Sequence, residues 1–285
     1  MTRDEFRFAE RLRVRWAEID AQKIVFNGHY LMYFDTAIAG YWRALAMPYH
    51  ETMQSLEGDL YVRKATVEYL GSARYDDVLD VGVRCRRIGT SSITFECGVF
   101  RQASLLVSGE LVYVFANPED QKSRPVPESL RAALQSFESG NEALRVETGH
   151  WAELGADAGA IRQEVFIREQ NIPAALDWDT VDAAAFHAVA YNSLGAALGT
   201  GRLFVDATGA YRIGRMAVLE SMRHAGIGRA LLDRLVELAR LQGASSVVLS
   251  AQVSAARFYA RAGFSEQGQP FDEAGIAHLE MRLSL

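Results

Sequence analysis

The stretch from Arg215 to Gly263 constrains the fold more than any other part of the chain. Its apolar residues first alternate, through Met216 and Val218, as a strand requires. The alternation ends in Arg223-His224-Ala225-Gly226-Ile227-Gly228. Ile227, Leu231, Leu235 and Leu238 then recur at helical spacing. A strand therefore runs through a glycine-containing turn straight into a helix. Glycine lets the backbone come close to a ligand, and the first N–H groups of a helix lack internal acceptors. Those donors, with the helix dipole, favour a pyrophosphate. A second strand over residues 246 to 252 follows, then a short helix with Phe258-Tyr259 and a stop at Gly263-Phe264.

The chain has 285 residues, which suggests two domains of about 150 residues each. Its 49% hydrophobic and 23% charged residues are those of folded domains that bury a core. The net charge is −6 and neither half is basic, which argues against nucleic-acid binding. Cys85 and Cys97 are the only cysteines and make no disulfide framework, as expected of a reducing compartment. The opening residues lack the apolar centre of a signal peptide, and no apolar run is long enough to span a membrane. The expectation is a cytoplasmic protein.

In the first half, residues 11 to 16 alternate as a strand. A polar loop then leads into a long helical pattern. Tyr30, Phe34, Ile38, Tyr41, Trp42 and Leu45 mark one face, and Pro48 stops it. A face this bulky predicts a sheet wrapped around the helix. Four strand-like runs follow, over residues 61–70, 78–88, 92–100 and 107–115, read as an antiparallel meander. One long helix with an antiparallel sheet is an α+β arrangement. In the last run Leu111, Tyr113 and Phe115 alternate with Val112 and Val114. Both faces are apolar, so the outer face should be covered.

Three marks carry a resemblance here: Asp20-x4-Val25-x4-Tyr30 at the loop–helix junction, Tyr75-Asp76-Asp77-Val78-Leu79 before a strand, and a closing Arg124-Pro125-Val126-Pro127. Residues 9 to about 135 resemble the hotdog-fold acyl-CoA thioesterases of the 4-hydroxybenzoyl-CoA thioesterase, YbgC and FadM group. The resemblance puts the catalytic carboxylate on Asp20 and implies a homodimer or homotetramer through this domain. Many members carry glycine at the position of Lys23, where a positive φ would strain a lysine. A thioester needs a carboxylate, to attack or to activate water, and donors for the oxyanion. Helix-start N–H groups around Gly28 to Tyr30 would serve, with Glu18 and Asn27 as nearby polar groups. Arg84, Arg86 and Arg87 either meet coenzyme A phosphates or form a solvated strand end.

Residues 1–138 are read as this first domain, 139–146 as a linker and 147–285 as the second domain. In the second, a strand is expected over 145–152 and a helix over 157–170. The helix carries Ile161, Val165 and Phe166 on one face, and strands follow over 185–191, 195–205 and 211–219. The turn-and-helix stretch, the pair Phe258-Tyr259 and Gly263-Phe264 together resemble the acetyl-CoA-binding core of the GNAT acyltransferases, a mixed α/β fold. The segments Val165-Phe166-x-x-Glu169-Gln170-x-x-Pro173, Ala251-Gln252 and Gly275-Ile276-x-His278-x-x-Met281 resemble its ElaA-like branch. The resemblance implies main-chain pairing of Met216 and Val218 with the pantetheine arm. It implies a pyrophosphate cradle at Arg223, His224, Ala225, Gly226, Ile227, Gly228 and Arg229. Tyr259 would donate a proton to the leaving thiolate, and Glu169 and His278 are candidate bases for an amine acceptor. Asp177, Asp179 and Asp182 either attract a cationic acceptor or form a solvated acidic loop. They lack the spacing of a calcium loop, and no metal is expected. Acetyl-CoA and acyl-CoA are expected as substrates. The two resemblances imply a bifunctional enzyme, or one in which a domain survives as an inactive CoA-thioester sensor or oligomerisation scaffold.

Overall fold

The bulky helix runs from His29–Ala44 (α1) in a computed structural model that describes residues 1–285. Tyr30, Tyr33, Phe34, Ala37, Ile38, Tyr41 and Trp42 form its buried face. Each large side chain of that face contributes about 1.5–3 kcal/mol of hydrophobic burial. The helix ends at Ala44, before Pro48, and the chain turns at Ala46, where φ is 54°. Pro48 instead opens a short helix that the sequence pattern missed, Tyr49–Ser55 (α2).

A five-stranded antiparallel sheet accompanies α1. Its strands are Phe8–Arg13 (β1), Asp59–Tyr69 (β2), Val78–Ile88 (β3), Ser92–Arg101 (β4) and Ser104–Ala116 (β5). The order β1-β3-β4-β5-β2 corrects the simple meander, because β2 returns to the far edge beside β5. The first strand also lies earlier than residues 11–16, since Val14 onwards leaves the ladder. The helix Glu128–Glu138 (α3) buries Leu130, Ala133, Leu134 and Phe137. Its Glu138 carboxylate accepts from the Tyr41 hydroxyl (2.5 Å) and the Cys85 N–H (2.7 Å), tying α3 to α1 and β3.

The chain divides into compact units at residues 143 and 144. The second unit opens with Leu144–His150 (β6), which pairs with Phe186–Asn192 (β7). The expected helix over 157–170 starts six residues earlier, as Trp151–Arg162 (α4), and continues as a π-helix over Gln163–Glu169. A one-turn helix, Ala174–Asp177 (α5), precedes β7. Ala197–Val205 (β8), Tyr211–Val218 (β9), Ile227–Leu241 (α6), Ser246–Gln252 (β10) and Ala256–Arg261 (α7) follow. A final hairpin, Ser265–Glu273 (β11) and Ile276–Ser284 (β12), turns at Ala274 and Gly275. The seven-stranded sheet has the order β11-β12-β10-β9-β8-β7-β6, with β9 and β10 its one parallel pair. No helix is long and apolar enough to cross a membrane.

Two local features position the sites. The loop before α1 closes tightly at Lys23, whose φ of 62° lies in the left-handed region. In β9 a bulge puts two residues opposite one of β8, between the pairs Thr200↔Ala217 and Arg202↔Gly214. The left-handed region costs a non-glycine residue about 1–2 kcal/mol. Glycine's extra conformational entropy, about 0.5–1 kcal/mol, offsets part of that gain on substitution. Lys23→Gly is therefore expected to stabilise the protein by up to about 1 kcal/mol. Denaturant midpoints measure this, and a destabilised variant would mean that the lysine side chain holds the turn.

Candidate functional sites

In the first unit a cavity of about 550 Å³ is lined by Asp20, Asn27, Tyr30, Tyr69 and Ser72, among others. Asp20 closes its own turn: Oδ1 accepts from the N–H groups of Gln22 (2.7 Å) and Ile24 (3.4 Å). Its main-chain N–H donates to the Ile24 carbonyl, 2.9 Å away. These bonds fix the carboxylate at the cavity edge and leave Oδ2 without a protein hydrogen bond. Glu18, 3% exposed, braces the loop. It accepts from the Tyr33 hydroxyl (2.7 Å), the Arg15 N–H (2.7 Å) and the Arg15 guanidinium. Burial alone would raise its pKa, but those hydrogen bonds outweigh it and hold the carboxyl below the ordinary range. Glu18 is thus a satisfied anchor.

The N–H groups around the start of α1 differ from expectation. His29 and Tyr30 donate theirs to the carbonyls of Phe26 (2.9 Å) and Asn27 (3.4 Å). Gly28 keeps a main-chain N–H with no acceptor. Tyr30 is held by the Ala73 N–H, which donates to its hydroxyl at 3.0 Å. Arg84 is no free phosphate ligand, because Glu96 and Glu5 pair with it. Arg86 and Arg87 are exposed.

In the second unit β9 and β10 pair only over Tyr211–Ile213 against Val247–Leu249. Beyond them the strands part, and a cavity of about 570 Å³ opens there. The Leu219 N–H donates to the Leu198 carbonyl (3.0 Å). In an antiparallel ladder the preceding residue, Val218, then turns its main-chain groups away from β8, towards the gap. Met216 sits in the bulge, where the regular alternation is interrupted, and lines the cavity. The Val218 carbonyl is already engaged, since Arg223 Nε donates to it at 3.2 Å.

The turn before α6 has Gly226 as its cap at φ 84°, a conformation that favours glycine. The Ala230 N–H donates to the Gly226 carbonyl (3.0 Å), so the N–H groups of Ile227, Gly228 and Arg229 have no intrahelical acceptor. A Cβ on Gly228 would meet nothing closer than Phe258, at 3.6 Å, so space does not demand glycine there. His224 is also left-handed, at φ 66°, and Ala225 donates weakly to Met222 (3.4 Å). Arg229 pairs with Asp233 one turn on.

Tyr259 lines the cavity, and burial pushes its pKa up to about 12. Its hydroxyl has no protein partner, while its ring meets Phe258 and Phe264 edge-on. His278 also lines the cavity. Its Nδ1 lies 2.8 Å from the Ile276 carbonyl, which can only accept, so that bond assigns the proton to Nδ1 and leaves Nε2 as acceptor. Glu169 differs: it is ion-paired with Arg223 and is not part of the cavity wall. Gln170 takes that place, accepting from Gln252 at 3.1 Å.

None of the three aspartates of the acidic loop is free, and only Asp179 is exposed. Asp177 and Asp182 are buried against Arg162, which is 1% exposed and flanked by Trp151 and Trp178. Arg202 bonds Asp179 (2.6 Å) and Asp182 (2.6 Å), and Arg215 reaches Asp177 and Asp179. Three arginines match three aspartates, which removes the attraction for a cationic acceptor. Their partners lie up to 38 residues away in sequence, so no local pattern announced the network.

The family model for the acetyltransferase (GNAT) domain matches residues 152–285, and that for the thioesterase superfamily matches residues 22–108. An uncharacterized N-acetyltransferase of Bacillus subtilis (strain 168), YjcF, is 36% identical over 126 residues, 44% of this chain and 89% of that protein. A UPF0039 protein of Schizosaccharomyces pombe is 34% identical over 131 residues, 45% of this chain and 87% of its own. A thioesterase structure from Thermus thermophilus, complexed with coenzyme A and Zn, is 25% identical and covers 48% of this chain and 97% of that one. Its TM-score is 0.42. The chain therefore belongs to the GNAT acetyltransferases through its second half, and its first half is a hotdog domain of the thioesterase superfamily.

Proposed function

We propose that the protein carries two acyl-CoA activities: thioester hydrolysis in the first domain and acetyl transfer from acetyl-CoA to an amine in the second. The observation that carries the second is the parting of β9 and β10 beside Tyr259, His278 and the open start of α6. A pantetheine arm in the gap would pair with the main chain of Met216 and with the Val218 N–H. The pyrophosphate would meet the N–H groups of Ile227, Gly228 and Arg229, with Arg223 to Gly226 shaping the turn. The amine nitrogen attacks the acetyl carbon, and the carbon–sulfur bond breaks. His278 Nε2 accepts the proton that the amine gives up. Glu169, tied to Arg223, serves the cradle rather than the base.

Tyr259 is the donor to the leaving sulfur. With a pKa near 12 it is a weaker acid than a thiol, so it stabilises the thiolate by hydrogen bonding as charge develops. In the first domain Asp20 attacks the thioester carbonyl or activates water, using its free Oδ2, and the unengaged N–H groups of Asn27, which lines the cavity, and Gly28 are the donors for the oxyanion. Acyl-CoA esters are the substrates of both halves, localisation is cytoplasmic, and no metal takes part.

A second role, oligomerisation through the first domain, is favoured by the edge strand β2. Val62 and Tyr69 on it, and Leu70 just after it, are 55%, 51% and 63% exposed, and β5 is its one neighbour. An apolar edge with unpaired main-chain groups is ready to pair with a second copy.

Asp20→Asn should lower acyl-CoA hydrolysis by at least about a hundredfold, the scale of losing a positioned carboxylate. Free-thiol release measures it, and near-full turnover by the folded variant would sink the assignment. Tyr259→Phe should slow acetyl transfer by roughly ten- to a thousandfold with the acetyl-CoA dissociation constant unchanged. In the wild type, a phenol raised to about 12 stays protonated through pH 10, so Tyr259 should cause no fall in rate between pH 8 and 10. A declining limb near pH 10 that vanishes in Tyr259→Phe would contradict the burial. The full chain should be a dimer or a dimer of dimers by light scattering at micromolar concentration, and a monomer would rule out the oligomeric reading.

A further inference from the structure

Arg215 stands at the bulge of β9 with φ 53°. Glycine is the inexpensive residue for a left-handed bulge position, and an arginine there costs about 1–2 kcal/mol. Such strain persists only where the surroundings over-determine it, and it concentrates at functional sites. The facing strand is shaped for the bulge too. A Cβ on Gly201 would lie 2.5 Å from the Met216 sulfur, so glycine there admits the Met216 side chain.

The guanidinium of Arg215 shows what holds it. Nε donates to the Asp177 carbonyl (3.1 Å) and lies 3.1 Å from Asp177 Oδ1. One terminal nitrogen donates to the Leu176 carbonyl (3.1 Å) and to Asp179 Oδ2 (3.2 Å). Leu176, Asp177 and Asp179 form part of the wall of the same cavity that takes in Met216, Tyr259 and His278. The wall segment has one apolar anchor, Trp178 against Trp151, while α5 is a single turn and Leu176 is 56% exposed. Arg162 and Arg202, both buried, fix the carboxylates of this segment, and Arg162 donates to the Asp177 carbonyl (2.6 Å), which it shares with Arg215; the Leu176 carbonyl is bonded by Arg215. Arg215 is the one arginine of the three that belongs to the bulge itself, next to Met216.

We infer that Arg215 is a positioning residue for the amine acceptor. It fastens the wall segment 176–179 to the bulge, so that an amine entering along that wall meets the acetyl group on a fixed line. This rests on the acetyl-transfer reading above. The segment and the bulge are far apart in sequence, and the forked guanidinium bridges two carbonyls and two carboxylates at once, which a lysine cannot do. The side chain therefore does at this position what glycine, the locally cheaper residue, leaves undone.

The test is Arg215→Gly, which removes the fork while suiting the backbone. Relief of strain offsets lost hydrogen bonds, so the melting temperature should stay within about 5 °C of the wild type. Acetyl transfer is measured with the best of lysine, glucosamine and spermidine. KM for the amine should rise at least about tenfold while the acetyl-CoA dissociation constant changes less than about twofold. Arg215→Lys should recover only part of the loss. Amide hydrogen exchange over residues 174–182 should quicken at least about tenfold in Arg215→Gly, with α6 unchanged. An unchanged exchange rate overturns the inference, as does a loss of acetyl-CoA affinity equal to the loss of amine affinity. Exchange needs no acceptor. If the wild type acetylates none of the three amines, the acetyl-transfer reading fails on that result, while exchange still decides whether Arg215 fastens the wall.

Discussion

The second domain depends on a sheet that stops pairing halfway. After Ile213 and Leu249 the neighbours β9 and β10 separate, and the main chain from Gly214 to Val218 loses partners on that side. Buried backbone polar groups rarely remain unpaired, because a lost hydrogen bond there is costly. Arg223 satisfies one such group, the Val218 carbonyl. The other groups facing the gap are offered to whatever enters it. The strand runs on through the Gly226 turn into α6, whose first N–H groups also lack intrahelical acceptors. One interruption in a ladder thus accounts for the cleft.

The cluster of Arg162, Arg202, Arg215 and three aspartates obeys a different constraint. Removing charges from water costs several kcal/mol per ion, and the mutual attraction repays this only when geometry is good. Here every carboxylate is bonded to at least one guanidinium, and Arg162 is enclosed by two tryptophans. Such a network is weak evidence for stability. Its strength is directional: a bidentate fork tolerates little displacement, so the wall segment between residues 176 and 182 is held in one arrangement. His187, with its pKa lowered chiefly by burial, packs against the same network through the Asp182 carbonyl and adds no charge to it.

The first domain solves its positioning problem locally. Arg15, Glu18, Asp20 and Lys23 lie within nine residues, and each bond between them closes a short turn. The Tyr33 hydroxyl on α1, the Val25 N–H to the Ala73 carbonyl, the Tyr69 hydroxyl of β2 to the Asn27 carbonyl and the main-chain bonds of Val14 with Asp76 and Asp77 tie the loop to more distant elements. The carboxylate of Asp20 is therefore presented by the loop itself.

The sequence by itself determined what depends on near neighbours. The apolar face of α1, the strands β3 and β4, the turn at Gly226 and the helix after it are all set by spacing of a few residues, and their hydrophobic periods were legible. The placement of Asp20, Tyr259 and His278 at cavities followed from motifs that sit on such elements. Tertiary structure alone decided the rest. The far-edge position of β2 depends on long-range ladder bonds, and strand order leaves no mark on periodicity. The pairing of Glu169 with Arg223 bridges 54 residues, and it took from the candidate base its freedom. The three aspartates looked like a charged loop because the arginines that neutralise them lie on α4, β8 and β9, where alternation only shows them as polar interruptions. Charge in a sequence is visible; whether folding brings its counter-charge within hydrogen-bond reach is set by the packing of distant elements, and that packing decided that these aspartates are ion-paired.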